Sequence, residues 1–160
     1  MKGYLDDSEK TIEVIKDGWL YTGDLGYLDK EGYLFITGRM KNLIVTGAGK
    51  KVQPEELEHL LLKNPYIRDA CVVGKIAKEG LRKGHEEVYA VIVPDLEYMK
   101  LEHSELKEDK IKKLVSIVIM KINKDIANYK KITGFEIWDK ELPKTSTRKV
   151  KRKEVLEQLQ

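Results

Sequence analysis

The sequence predicts an α+β fold in which helices pack against a small β-sheet of about three strands. Two runs of β-branched and small apolar residues, 70–74 and 88–93, have the length and composition of paired core strands. One long stretch repeats Ile111, Leu114, Val115, Val118, Ile119, Ile122 and Ile126 at helical spacing, a single apolar stripe that packs on a sheet. After Arg39 the predicted elements run β, α, β, β, α, β, α, the order of helices laid against a sheet rather than of a bundle or a barrel.

Taken in order, the residues before about Arg39 read as turns and short strands. Asp17-Gly18, Gly23-Asp24 and the stretch 29–32 punctuate the apolar runs 19–21 and 33–36, the pattern of a β-hairpin with a longer loop. A hairpin alone is marginal in water, so this piece needs a partner sheet. Leu43-Ile44-Val45-Thr46 is strand-like and ends at Gly47-Ala48-Gly49, which reads as a strand-to-helix turn. Gln53-Pro54-Glu55-Glu56 then opens a helix: proline suits a first turn, and the two carboxylates complement the positive end of the helix dipole. Leu57, Leu60 and Leu61 supply its apolar face and Asn64-Pro65 ends it. The charged connector 78–87 separates the core strands, and Ser104 is placed to cap the long helix. Phe135-Glu136-Ile137-Trp138 alternates like a third strand, and 150–159 forms a last helix, basic and then acidic.

At 160 residues, 41% hydrophobic and 36% charged, the chain holds one domain of ordinary size with an appendage, neither a disordered polyelectrolyte nor a membrane protein. Lys2, Asp6 and Asp7 stand where a signal peptide needs an apolar stretch, and the single Cys71 lies in an apolar run as a buried, reduced thiol. Both point to the cytoplasm. The net charge of +3 is unevenly spread: residues 144–153 carry six basic residues and no acidic one. Such a segment meets phosphate on a nucleotide, a nucleic acid or an anionic membrane, or is simply solvated.

The chemistry-bearing motifs are individually modest. Asp24 in Tyr21-Thr22-Gly23-Asp24 suits a carboxylate that accepts bonds from the paired hydroxyls of a ribose, although an Asp beside Gly more commonly just stabilises a turn. Gly47-Ala48-Gly49-Lys50-Lys51 departs from a P-loop, with Ile44 where the first glycine belongs and Lys51 where a hydroxyl would hold magnesium. Gly49 still permits close approach to the backbone, and Lys50 or Lys51 can meet a phosphate. His59, His85 and His103 have no metal-ligand spacing with Cys71 or each other, so no metal site is expected. No Gly-x-Ser-x-Gly elbow occurs, and residues 144–153 contain no aromatic residue to stack bases, so neither hydrolysis nor nucleic-acid binding is expected.

In order and spacing, Tyr21-Thr22-Gly23-Asp24-Leu25, Gly38-Arg39-Met40-Lys41-Asn42-Leu43-Ile44, Gly47-Ala48-Gly49-Lys50-Lys51 and Leu142-Pro143-Lys144-Thr145-Ser146-Thr147-Arg148-Lys149-Val150-Lys151-Arg152 resemble the ATP-handling and lid motifs of the adenylate-forming superfamily of acyl-CoA synthetases, luciferases and peptide-synthetase adenylation domains. The resemblance runs from Gly3 to about Leu156. It implies that residues 1–38 are the C-terminal remnant of the large adenylating domain and 39–160 the lid. It further implies that Asp24 binds the ATP ribose, Arg39 helps hold the nucleotide, Lys41 is the hinge, Gly49 lines the route of the CoA pantetheine arm, Glu56 and Glu58 match acids of the following helix, and Lys149 is the catalytic lysine of adenylation. One departure stands out: the family usually has glycine immediately before that lysine, and here it is Arg148.

What the resemblance implies for function is a parent fatty acyl-CoA synthetase, of long-chain type, that uses ATP, CoA and magnesium, with an aryl-acid CoA ligase or a carrier-protein-loading adenylation domain as alternatives. The magnesium ligand and acyl pocket are expected upstream of Met1, so this chain alone is expected to be inactive. ATP, CoA and fatty acid are expected to bind through the preceding domain, with peripheral membrane contact open to the basic segment and artificial self-association to any uncovered apolar surface. A reading from another class is a non-catalytic binding module whose basic tail meets acidic partners.

Overall fold

The computed structural model describes residues 1–80, 83–103 and 105–159. The chain divides into two compact units, Met1–Lys41 and Asn42–Gln160.

The first unit begins with helix α1 (Ser8–Val14), where turns and strands were expected. Asp7 starts it: its carboxylate accepts the Lys10 N–H at 2.9 Å, a side-chain cap that outweighs the lack of an apolar stripe. Two hairpins follow. Strand β1 (Ile15–Lys16) pairs antiparallel with β2 (Trp19–Leu20), and β3 (Asp24–Leu28) with β4 (Leu34–Arg39). The sequence reading joined 19–21 to 33–36, and the turn chemistry explains the difference. Asp17 and Gly18 both take positive φ, 50° and 81°, which closes a two-residue hairpin onto the strand just before it. The Asp29 carboxylate, which accepts the Glu31 and Tyr33 N–H groups, closes the second hairpin around residues 29–32. No described residue of this unit is buried.

The second unit is the α+β sandwich. Strand β5 (Ile44–Val45) pairs with β6 (Lys51–Val52), so Gly47-Ala48-Gly49 is the loop of a small hairpin and not a strand-to-helix turn. Gly49 has φ 71°, and its N–H bonds the Thr46 carbonyl at 2.8 Å to close the loop before the helix can start. Helix α2 (Pro54–Leu62) leads to strand β7 (Ile67–Ile76), antiparallel to β8 (Glu86–Pro94). Helix α3 (Leu96–Glu102) was not foreseen. Asp95 caps it by accepting the Tyr98 N–H at 2.9 Å, and Met99 is its buried anchor. Helix α4 (Glu108–Asp125) bears the predicted stripe but has Lys107, which offers no side-chain acceptor, at its N-cap; Ser104, the expected cap, lies outside the described residues. Strand β9 (Gly134–Ile137) joins β8 in parallel, completing a sheet ordered β7-β8-β9, and helix α5 (Arg152–Leu159) follows.

The two faces of this sheet bury separate clusters, as period-two alternation requires. Ala70, Val72, Val88, Ala90 and Ile92 meet Leu57 and Leu61 of α2 and Val115, Val118 and Ile119 of α4. On the opposite face Cys71, Val73, Val91 and Val93 meet Trp138, Leu142 and the α5 residues Val155 and Leu159. At about 1.5–3 kcal/mol for each large apolar side chain buried, these layers fix where the intervening loops are held.

Candidate functional site

Asp24 and Arg39 meet. They face each other in the β3–β4 register, and the Arg39 Nε donates to the Asp24 carboxylate at 2.8 Å. Thr22 steadies the turn, its Oγ1 accepting the Asp24 N–H at 3.1 Å. The carboxylate is only partly covered, with 29% of its side chain exposed, so oxygen lone pairs are left for further donors. Lys41 is exposed in a short 3-10 turn, Met40–Asn42, and the division between the two units falls directly after it.

Gly49, Lys50 and Lys51 sit on the β5–β6 hairpin, and all three are exposed. This hairpin is fastened to one end of the main sheet. Thr46 makes a parallel bridge with Glu86, and the Glu86 carboxylate accepts the Val45 N–H at 2.8 Å. Gly47 must be small here: a Cβ would lie 2.8 Å from the His85 ring.

Lys149 sits on a second closed loop. Lys144 and Val150 form an antiparallel bridge, the Thr145 N–H donates to the Lys149 carbonyl at 2.8 Å, and the Lys149 N–H donates to Thr145 Oγ1 at 3.1 Å. Arg148 lies in the left-handed region, φ 61°, with its N–H on the Thr145 carbonyl at 2.9 Å. Here is a physical reason for glycine at this position: the turn calls for positive φ. The Lys149 ammonium is exposed and has no hydrogen-bond or ion-pair partner among the described residues.

The structure does not gather Lys149 and Gly49 into one pocket. Lys144, at the base of the Lys149 loop, pairs with Asp69 at 2.6 Å, near the β7 end where Ile67 faces Pro94. Thr46 attaches to Glu86, which faces Ile76 at the other end of the same ladder. Seven residues of strand separate the two attachments, about 23 Å at 3.3 Å per residue.

Geometry joins residues that the motifs did not bring together as a site. Arg152 of α5 donates to Glu58 at 2.5 Å and lies 3.4 Å from Glu55, both on α2. Glu58 also accepts the Val72 N–H of β7 at 2.8 Å, and Glu55 accepts the Asn42 amide at 2.7 Å. Burial pushes the Glu58 carboxyl above the usual glutamate value, against the pull of Arg152 and the Val72 N–H, and the Glu55 charge adds to the rise. The i, i+3 spacing of Glu55 and Glu58 on a helix with a buried face was a legible signal; their partner Arg152, nearly a hundred residues on, was not. Glu56 instead pairs with Lys130 at 2.7 Å.

The basic segment is therefore not a free tail. Lys144, Lys151, Arg152 and Lys153 are paired with Asp69, Glu154, Glu58 and Glu157, leaving Arg148 and Lys149 as its cations without a partner among the described residues. Among the described residues no helix is long and apolar enough to cross a membrane, and no group of His, Cys, Asp and Glu could hold a metal ion.

Comparison with known proteins places this geometry. The chain is 40% identical over 161 residues to 4-coumarate–CoA ligase 1 of Oryza sativa subsp. japonica, covering 100% of this chain and 25% of that protein. It superposes on o-succinylbenzoate CoA synthetase of Bacillus subtilis, in complex with its acyl-adenylate intermediate, with TM-score 0.74 and 29% identity over 97% of this chain and 28% of that one. A fatty acyl CoA synthetase of Mycobacterium tuberculosis gives TM-score 0.60 and 27% identity over 98% of this chain and 27% of that one. The chain thus spans about a quarter of the length of these relatives. Residues 41–160 match the family model described as the AMP-binding enzyme C-terminal domain, and the chain belongs to that family.

Proposed function

We propose that the chain is the lid of an acid–CoA ligase, joined to the last strands of the large adenylating domain that precedes it. The parent would activate a carboxylic acid with ATP to an acyl-adenylate and then pass the acyl group to CoA. The placement of Lys149 carries this reading: an unpaired ammonium on a closed, exposed loop, held at the opposite end of the sheet from the Gly49 hairpin. A lid with two such ends can serve two half-reactions in turn, rotating about Lys41 at the boundary of the units.

In the first half-reaction a substrate carboxylate oxygen bonds to the α-phosphorus of ATP while the bond to pyrophosphate breaks. Negative charge grows on the α-phosphoryl oxygens, and the compact Lys149 ammonium is suited to stabilise it inside a closed lid that excludes water. Asp24 accepts from the ribose hydroxyls, and Arg39, already on the same carboxylate, orients it and adds positive charge beside the nucleotide. In the second, the CoA thiol attacks the acyl carbon and AMP leaves, with Gly49 bounding the thiol's route and Lys50 or Lys51 meeting a CoA phosphate. Magnesium, when bound, neutralises the phosphates; no described residue of this chain is assigned to it.

The relationship to a 4-coumarate ligase at 40% identity favours an aryl acid as the substrate. A long-chain fatty acid is the second reading, supported by the likeness to the Mycobacterium tuberculosis enzyme. The test is ATP–pyrophosphate exchange by the full-length enzyme with 4-coumarate, o-succinylbenzoate and palmitate. One acid should support rapid exchange, and Lys149→Ala should lower it by about 10²–10³-fold. Undiminished exchange in that variant would reject the assignment of Lys149.

A further inference from the structure

The Lys149 loop stands on two ion-paired feet. At one foot Lys144 Nζ lies 2.6 Å from Asp69 of β7. At the other, the Lys151 N–H bonds the Pro143 carbonyl at 2.8 Å, and Arg152, three positions after Lys149, reaches into Glu58 and Glu55. Glu58 ties three elements together: it belongs to α2, accepts an N–H from β7 and receives the guanidinium of α5. Glu55 is in turn held by Asn42, the residue after Lys41.

This cluster is a poor way to gain stability. The Glu58 and Arg152 side chains are largely buried, 15% and 22% exposed, and two carboxylates share one guanidinium. Buried ion pairs cost so much desolvation that apolar replacements are often no worse, which leaves geometry as the better account of what the pair achieves. We infer that Glu58, acting through Arg152 and seconded by Asp69 through Lys144, is a positioning residue that sets the Lys149 loop for the adenylation half-reaction. The inference rests on the proposed role of Lys149. A misplacement of about 1 Å at a reacting centre costs on the order of 10²-fold in rate, so a clamp that touches no substrate still governs the chemistry.

The test is a double-mutant cycle in the full-length enzyme, with the acid that supports fastest exchange. Unaltered enzyme, Lys149→Ala, Glu58→Gln and the double variant are assayed for pyrophosphate exchange and, separately, for thioester formation from chemically prepared acyl-adenylate and CoA. Glu58→Gln should lower exchange about 10–100-fold while leaving the thioester step within about twofold. The double variant should be no slower in exchange than Lys149→Ala by more than about twofold, because a misplaced lysine and an absent one fail alike. Unchanged exchange in Glu58→Gln, equal losses in both half-reactions, or losses that multiply in the double variant would each overturn the inference. If Lys149→Ala itself exchanges normally, the role of Lys149 falls first and this clamp with it. Should Glu58→Gln not fold, Asp69→Asn at the more exposed foot carries the same cycle with the same expectations.

Discussion

Arg148 shows how one backbone angle can matter more than the side chain on it. The other non-glycine residues with positive φ, Asp6 and Asp17, are of a type whose short polar side chain tolerates that region. Arginine is not. Holding a non-glycine residue at φ 61° costs about 1–2 kcal/mol, and the loop is kept there by the Arg148 and Thr145 N–H bonds and the Lys144–Val150 bridge. Arg148→Gly removes that cost but loosens the unfolded chain by about 0.5–1 kcal/mol. The expected result is a net gain of about 0.5–1 kcal/mol, read as a higher urea midpoint at unchanged slope. A lower midpoint would mean that the Arg148 side chain makes a contact outweighing its strain.

The elements that could be read from sequence were those with an uninterrupted period. Residues 70–74 and 88–93 predicted β7 and β8, and the stripe from Ile111 to Ile126 predicted α4, because burial on a sheet imposes repeats that no turn chemistry can hide. Among the shorter elements, β5 and β9 were legible from their apolar runs, whereas α1 and α3 were not. Helices α1 and α3 rest on the single caps Asp7 and Asp95, and hairpin partners near the start depend on the paired positive φ at Asp17 and Gly18. The candidate site divides the same way: Asp24 and Gly49 stood out in local motifs and Lys149 through the resemblance of its segment, whereas the Arg152–Glu58 contact spans 94 positions and has no local signature. Strand β7 offers a direct check on the core. Cys71 is fully buried at its centre, and burial foremost, with the Glu58 charge adding to it, pushes the thiol up to about 12. At pH 8 the thiolate is therefore scarce as well as enclosed, and Ellman's reagent should leave native protein unlabelled while reacting with one thiol per chain in urea. Prompt labelling without denaturant would show that β7 opens readily.

For the whole molecule, the decisive asymmetry is where apolar surface is buried. Every buried core residue among those described lies between Ile44 and Leu159, in the two clusters on either face of β7-β8-β9. Residues 1–41 contain none, and Trp19, Tyr27, Leu28, Tyr33 and Leu34 are each more than half exposed. A pair of hairpins without a buried face lacks the means to be stable in water by itself. Stability should then belong to the second unit. Residues 42–160 produced alone should unfold cooperatively with a urea midpoint matching that of the 160-residue chain, and brief trypsin treatment of that chain should accumulate a fragment beginning at Asn42, after Lys41. A short chain that fails to fold, or a digest in which residues 1–41 survive as long as the core, would show that the first unit supplies stability its exposed strands do not reveal.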